Sequence, residues 1–334
     1  MLRRDVGVSV TAALELDELR VRYRVGDHFV AAVDGVSLAV QPGEIVGLVG
    51  ESGCGKSTLA GAVLGLLPAG TVVDGSVRVA GDELVGLGEA RLRALRGNTM
   101  AMIVQDPSTS LDPVWPVGDQ VAETIRAHRK ISRKAARAMA TALMTDVGIP
   151  AAASRYDDPP HRLSGGMRQR IVIAAALANE PSLLIADEPT SALDVTIAAQ
   201  ILRLIAALRD DRGTAVLLIT HDLGVVAQVC DRVGVMYAGQ LVEVATAHDL
   251  FDRPRHPYTR ALLSALPSAT PRGERLAVIG GQVPDLGHLD PGCRFAPRCP
   301  RRTQVCDTAP ALVPVGDTLA ACWHVHDVAA GEGR

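Results

Sequence analysis

The chain has 334 residues, 48% of them hydrophobic, 21% charged and only 3% aromatic, with a formal net charge of −3. That length supports one large domain with an appendage or two domains, around a core built from Val, Leu, Ile and Ala. The slight negative charge argues against a dedicated nucleic-acid binder, although the many arginines leave room for local basic patches. No apolar run reaches the ~20 residues that span a bilayer, and Met1 to Arg4 leads into Asp5 without a leader's apolar segment. The expectation is a cytosolic chain that meets a membrane through partners.

Residues 14–49 alternate apolar and polar as short strands do. Tyr23, one of nine aromatics, either stacks on a base or packs as an ordinary strand tyrosine. Next comes Gly50-Glu51-Ser52-Gly53-Cys54-Gly55-Lys56-Ser57-Thr58, which fits G-x-x-x-x-G-K-[ST] between an apolar run, Ile45 to Val49, and a helical stretch ending before Pro68. Glycines let such a loop wrap a polyphosphate with its N–H groups, and the helix start adds partial positive charge. Lys56 then reaches the β- and γ-phosphates and Ser57 holds Mg²⁺. A chance Gly-rich turn is the bland alternative. The chain has only three lysines, so placing one here argues for a nucleotide site.

Further on, Gly75 to Val85 reads as strand, Ala90 to Leu95 as a short helix, and Met100 to Val104 as a strand delivering Gln105. Pro107, Pro113 and Pro116 break up a loop, and Val117 to Ile149 has the composition of two helices. Ser164 can cap a helix running to about Asn179. Leu183 to Ala186 is fully apolar and ends in Asp187-Glu188; Thr196 to Leu208 is helical; Ala215 to Thr220 is apolar and ends in His221. Strands that each deliver polar residues beyond their carboxyl ends indicate an open parallel α/β sheet. Gly234 to Val244 reads as a terminal strand pair.

Asp187 is then placed to hold Mg²⁺ through its waters, and Glu188 to polarise the water that attacks a γ-phosphate. His221 fits a role touching that phosphate and fixing the water or Glu188, and Gln105 a role sensing Mg²⁺ and the water. Two carboxylates after a strand, or a lone histidine, are often merely structural; here the phosphate loop and the strand-end placement decide. Leu163-Ser164-Gly165-Gly166-Met167 puts two glycines at a helix start, where they weaken the helix but open its N–H groups to an anion. Two such sites in one chain suggest ATP clamped between two molecules.

In order, the phosphate loop, Gln105, Ser164-Gly165-Gly166-Met167, Asp187-Glu188, Ser191-Ala192-Leu193-Asp194 and His221 resemble ATP-binding cassette ATPases. Gln105-Asp106-Pro107, Met167-Arg168-Gln169-Arg170, Asp194-Val195-Thr196 and His256-Pro257-Tyr258-Thr259-Arg260-Ala261-Leu262 narrow the resemblance to subunits of oligopeptide, dipeptide and nickel importers. It implies an α/β P-loop ATPase core (12–105 and 166–250) with an antiparallel β-subdomain, a helical subdomain (106–165) and a Cys-bearing extension (251–334). It further implies that Tyr23 stacks on adenine, that Gly50 to Thr58 bind ATP, and that Ser57, Gln105 and Asp187 attend Mg²⁺. Ser164 to Met167 would touch the ATP of a second, paralogous ATPase subunit, with Asp194 in the loop between them. Two permease subunits and an extracytoplasmic binding protein would complete the importer at the cytoplasmic face of the membrane. Cys54, often Ser in that family, is expected to matter through its N–H. A soluble cassette acting on DNA or ribosomes lacks support, because no coiled coil and no second signature is present, and intact Glu188 and His221 oppose a non-hydrolysing scaffold.

Cys293, Cys299, Cys306 and Cys322 form C-x₅-C-x₆-C-x₁₅-C in a Pro- and Arg-rich tail. Disulfides are disfavoured in a reducing cytosol. Zinc sites usually show tighter knuckles, so spacing and family resemblance both lean toward a [4Fe–4S] cluster. Zinc and unligated thiols stay open, with Arg294, Arg298, Arg301 and Arg302 read as offsetting cluster charge and His324 and His326 as bystanders.

Overall fold

The computed structural model describes residues 11–191, 193–266 and 277–325. Strands β1 (Leu14–Val25) and β2 (His28–Val40) pair antiparallel across a turn at Gly26, whose φ of +60° suits the reversal. The five-residue β3 (Ile45–Val49) is wholly buried, and α1 (Lys56–Leu64) follows after the glycine loop. Gly65 in left-handed conformation stops α1, so the helix ends earlier than the prolines suggest. β4 (Val72–Val79) and β5 (Asp82–Glu83) flank a turn at Ala80-Gly81 and complete a four-stranded antiparallel sheet, β2-β1-β4-β5.

After α2 (Glu89–Leu95) and β6 (Met100–Ile103), the chain leaves the sheets for a helical segment. It holds α3 (Pro107–Ser110), α4 (Val117–His128), α5 (Arg133–Asp146) and α6 (Ala152–Arg155) before re-entering at α7 (Gly165–Ala176). Tyr156 anchors this segment. It is 1% exposed, its hydroxyl donates to Asp119 at 2.8 Å, and Arg137 lies 3.8 Å from its ring centroid. A side chain at Gly118 would fall 2.2 Å from that ring, so α4 needs glycine there.

β7 (Leu183–Asp187), α8 (Val195–Arg212), β8 (Ala215–Ile219), α9 (Leu223–Val229), β9 (Arg232–Tyr237) and β10 (Gln240–Thr246) complete the main α/β alternation. α10 (Ala247–Asp252) and α11 (Pro257–Ser264) follow, and β11 (Val313–Val315) and β12 (Thr318–Ala320) lie near the end. The second sheet runs β11-β12-β10-β9-β3-β8-β7-β6, with β9, β3, β8, β7 and β6 mutually parallel. Its central strands serve two cores by alternation. Ile45, Val49, Leu184, Ala186, Val216 and Leu218 pack toward the helices on one face. Val46, Leu48, Leu183, Ile185, Leu217 and Ile219 pack toward α1 and the antiparallel sheet on the other. That is why these strands read as unbroken apolar runs.

The late strands belong to the same sheet: Glu243 of β10 pairs with Ala320 of β12. Among the described residues no helix is long and apolar enough to cross a membrane.

Candidate active site

Four adjacent parallel strands end at one edge. There β3 delivers Gly50, β6 leads to Gln105, β7 ends in Asp187 and Glu188, and β8 leads to His221. In the phosphate loop, a Cβ at Gly50 would lie 2.1 Å from Met236 O, and one at Gly55 (φ +106°) 2.2 Å from Ala32 O. Only glycine fits either place. Lys56 is 7% exposed, and its Nζ donates to Gly50 O at 2.7 Å and Glu51 O at 3.0 Å. The Cys54 side chain does more than the sequence suggested: it is fully buried beneath the loop, 3.5 Å from Lys56 Nζ, and burial pushes its thiol upward in pKa. Tyr23 reaches the same helix start, its hydroxyl donating to Thr58 Oγ1 at 3.2 Å.

Asp187 is 8% exposed and hydrogen-bonded to the Ser57 side chain, which brings together two of the three residues expected to attend Mg²⁺. Burial raises its pKa and the neighbouring Glu188 charge adds to the rise, while the Ser57 bond opposes both. Glu188 sits at φ +47°, in the left-handed region that residues other than glycine adopt infrequently. Its Oε1 is 2.9 Å from His221 Nδ1, and its Oε2 accepts from Gln105 Nε2 at 3.2 Å. Gln105 is thus held on Glu188. A cleft of about 340 Å³ opens beside Glu188 and His221, lined also by Ser191, Leu193 and Val195.

Ser164 to Met167 stand at the start of α7, outside this hydrogen-bonded group. Ser164 caps the helix, accepting from Met167 N at 3.3 Å. A Cβ at Gly165 would meet nothing within 4 Å, whereas one at Gly166 would lie 2.7 Å from Ile197 Cγ2 on α8. One glycine leaves an open face; the other is required by packing. Asp194 caps α8 through Ile197 N at 3.0 Å. Ala192, beside it, lies outside the described residues.

Nothing in the local residue pattern points to what grips Glu51. Its carboxylate takes two bonds from Arg298, at 2.7 and 3.0 Å, and its N–H donates to the Tyr258 hydroxyl at 2.9 Å. Glu243, fully buried, accepts from Arg255 N and His256 N and so shapes the turn that presents Tyr258. Gln169, read in the sequence only as part of the Met167-Arg168-Gln169-Arg170 motif, ties α7 to the loop after Glu188 through Pro189 O at 3.0 Å. The signal in the sequence was a lone glutamine in line with Val172 and Ile173 on the helix face that the structure buries.

The four tail cysteines share one neighbourhood. Cys293 N donates to Cys306 O at 2.9 Å, and the Cys322 thiol lies within electrostatic reach of Cys293, Cys299 and Cys306. Burial raises the pKa of Cys293, Cys299 and Cys322. Four thiols suit iron–sulfur or zinc in chemistry. They do not suit it in arrangement, because among the described residues no three His, Cys, Asp or Glu side chains are placed to hold one ion. The arginines correct another expectation. Arg294 bonds Asp34 and Ala238 O, Arg298 bonds Glu51, and Arg302 bonds Asp307 at 3.0 Å, so three of the four are engaged elsewhere. Against the rise that burial causes, Arg301 lowers the pKa of the Cys299 thiol by its backbone bond and its charge. His324 Nε2 lies 2.9 Å from Thr303 Oγ1 and 3.8 Å from Cys306 Sγ; His326 is outside the described residues.

A phosphate loop, a paired Asp-Glu strand end, a strand-end histidine and a capped Ser-Gly-Gly helix on this two-sheet frame define an ATP-binding cassette. Residues 33–191 match the ABC transporter family, and residues 242–306 match the oligopeptide/dipeptide transporter C-terminal region. The chain is 49% identical over 296 residues to the dipeptide transport ATP-binding protein DppD of Bacillus subtilis, covering 88% of each. It is 51% identical over 313 residues to the oligopeptide transport ATP-binding protein OppD of Mycobacterium tuberculosis, covering 92% of this chain and 51% of that one. The chain therefore spans about half the length of the mycobacterial relative. Among solved structures, the post-hydrolysis dimer of the cassette MJ0796 bound to ADP and Pi is similar, at TM-score 0.64 and 26% identity over 70% of this chain and 98% of that one. The protein belongs to the ABC transporter ATP-binding family, in its oligopeptide/dipeptide branch.

Proposed function

We propose that this chain is the ATP-hydrolysing subunit of a membrane importer for oligopeptides or dipeptides. The observation that carries the reading is Glu188, fixed between His221 and Gln105 beside the Ser57–Asp187 pair and Lys56. Gly50 to Thr58 cradle the phosphates of ATP, with Tyr23 against adenine and Lys56 on the β- and γ-phosphates. Ser57 and Asp187 hold Mg²⁺, which supplies charge neutralisation, and Gln105 joins them. Glu188 accepts a proton from the attacking water, His221 orients its carboxylate, and Gln105 holds the opposite oxygen.

The site is completed in trans. Ser164, Gly165, Gly166 and Met167 of each subunit meet the ATP of the other, and Asp194 shapes the loop between them. The exposed Val195, 87% accessible at the rim of the cleft, suits such a face. The partners are a paralogous ATPase subunit, two permeases and an extracytoplasmic binding protein, without nucleic acid, at the cytoplasmic face of the membrane. The names of the relatives supply the peptide class. Residues 12–250 then form the ATPase unit, with 106–165 as its helical subdomain and 251–334 as the extension. A [4Fe–4S] cluster on Cys293, Cys299, Cys306 and Cys322, with zinc as the alternative, is the finer reading of that extension on the chemistry and shared neighbourhood of the four thiols alone, since their side chains are not arranged as a ligand set among the described residues.

The test is to purify the chain with its membrane partners and measure ATP hydrolysis with and without peptide-loaded binding protein. Stimulation by di- or oligopeptides supports the reading. Hydrolysis indifferent to every peptide, or none, removes it.

A further inference from the structure

A carboxylate inside a loop that must receive a triphosphate is an electrostatic liability, because like charges a few ångströms apart repel strongly where water is partly excluded. Glu51 is that carboxylate, one residue into the phosphate loop and 26% exposed at its side chain. Its partner comes from far along the chain. Arg298, 3% exposed at its side chain, binds both Glu51 oxygens in a fork, the geometry that guanidinium adopts with carboxylates.

Arg298 is itself fixed. Its Nε donates to Gly280 O at 2.8 Å and its head group to Ile279 O and the Tyr237 hydroxyl, both at 3.3 Å. Beneath it lies an aromatic cluster: the Tyr237 ring is 4.6 Å from Tyr258 and 5.3 Å from Phe295 by centroids, and Arg298 lies 5.8 Å from the Tyr237 ring centroid. In a chain with nine aromatics, three converge under the phosphate loop. Tyr258 adds the second hold through the Glu51 N–H. Phe295 and Arg298 both stand in the short turn between Cys293 and Cys299, so the cysteine-bearing extension presents the arginine to the loop.

We infer that Arg298 is a positioning residue for ATP: it neutralises Glu51 and fixes the entry of the phosphate loop, setting nucleotide affinity from outside the loop. The inference rests on the ATPase reading above.

Equilibrium binding of Mg–ATP to the purified full chain, with KM and kcat of the assembled importer, tests it. Arg298→Gln weakens ATP binding about tenfold and raises KM more than it lowers kcat. Adding Glu51→Gln recovers at least about fivefold of that loss, because the uncompensated charge is gone, while a purely structural role for Arg298 leaves the loss in place. Should Arg298→Gln fail to fold, Arg298→Lys serves: it keeps a charge without the fork and loses about threefold, again relieved by Glu51→Gln. Wild-type affinity in a folded Arg298→Gln chain, or a loss that Glu51→Gln does not relieve, overturns the inference and leaves the ATPase reading intact. A wild-type chain that does not bind Mg–ATP removes both.

Discussion

His221 Nδ1 and Glu188 Oε1 lie 2.9 Å apart although 33 residues separate them, because β7 and β8 are neighbours in parallel register with Asp187 opposite Ile219. The histidine thereby fixes one carboxylate oxygen while Gln105 fixes the other. A general base held at both oxygens is pre-oriented, and losing it costs about 10²–10⁴ in rate. Glu188→Gln is therefore expected to lower kcat by about 10³ while ATP still binds and the closed dimer accumulates. His221→Ala, which frees the carboxylate without removing it, is expected to cost less, about 10². Single-turnover hydrolysis beside ATP binding checks both; steady-state turnover retained in Glu188→Gln takes the residue out of the mechanism.

The packing of Tyr156 against Gly118 makes a separate test of the helical segment. A methyl group at position 118 would need the ring to move by more than an ångström. Gly118→Ala is expected to destabilise the protein by about 1–3 kcal/mol, the usual cost of overpacking a filled core. Denaturant titration reads it. An unshifted midpoint means that α4 and Tyr156 are not packed as described.

His256 is buried and neutral. It accepts from Tyr258 N at 3.1 Å, and burial holds its pKa down to about 3, with a backbone bond at Ala321 pulling the other way. An unfolded imidazole titrates near 6.5. Between those values the unfolded chain binds more protons, so this contribution is complete above pH 6.5 and declines as pH falls toward 3. Glu243, whose N–H partners include His256, has its carboxyl raised by burial and contributes with the opposite slope. The comparison is therefore between variants. His256→Asn keeps a capping acceptor without the ionisation, and the wild-type melting temperature should fall more steeply than the variant's from pH 6.5 to 4.5. Parallel curves would place the imidazole in water.

The cysteine-bearing extension makes a chemical prediction. If its thiols hold a cluster, anaerobically purified protein contains iron and absorbs in the visible, and Cys322→Ser loses both. Equal iron in variant and parent sinks the cluster, and stoichiometric zinc in its place supports the alternative.

Much of this molecule is legible in its residues. The apolar runs at 45–49, 183–186 and 215–220 mark buried strands because both faces of that sheet are covered. Capping at Ser164 and the strand-end placement of Glu188 and His221 are local patterns, and the structure contains them. What stayed hidden is long-range. Glu51 and Arg298 are 247 residues apart and carry no shared periodicity. The tail arginines read as cluster counter-charges because composition reports charge without direction; Arg294 and Arg298 turn toward the ATPase core. Gly166 looked like an opening for phosphate, and Ile197 shows a packing reason as well.

The pairing of β12 with β10 has a practical consequence for anyone shortening the chain. A version stopped at residue 250 would keep every nucleotide motif and still strip the outer two strands from the main sheet. The buried β10 would become a bare rim of unpaired amides and carbonyls flanked by Leu241, Val242 and Val244, an invitation to stick to other copies.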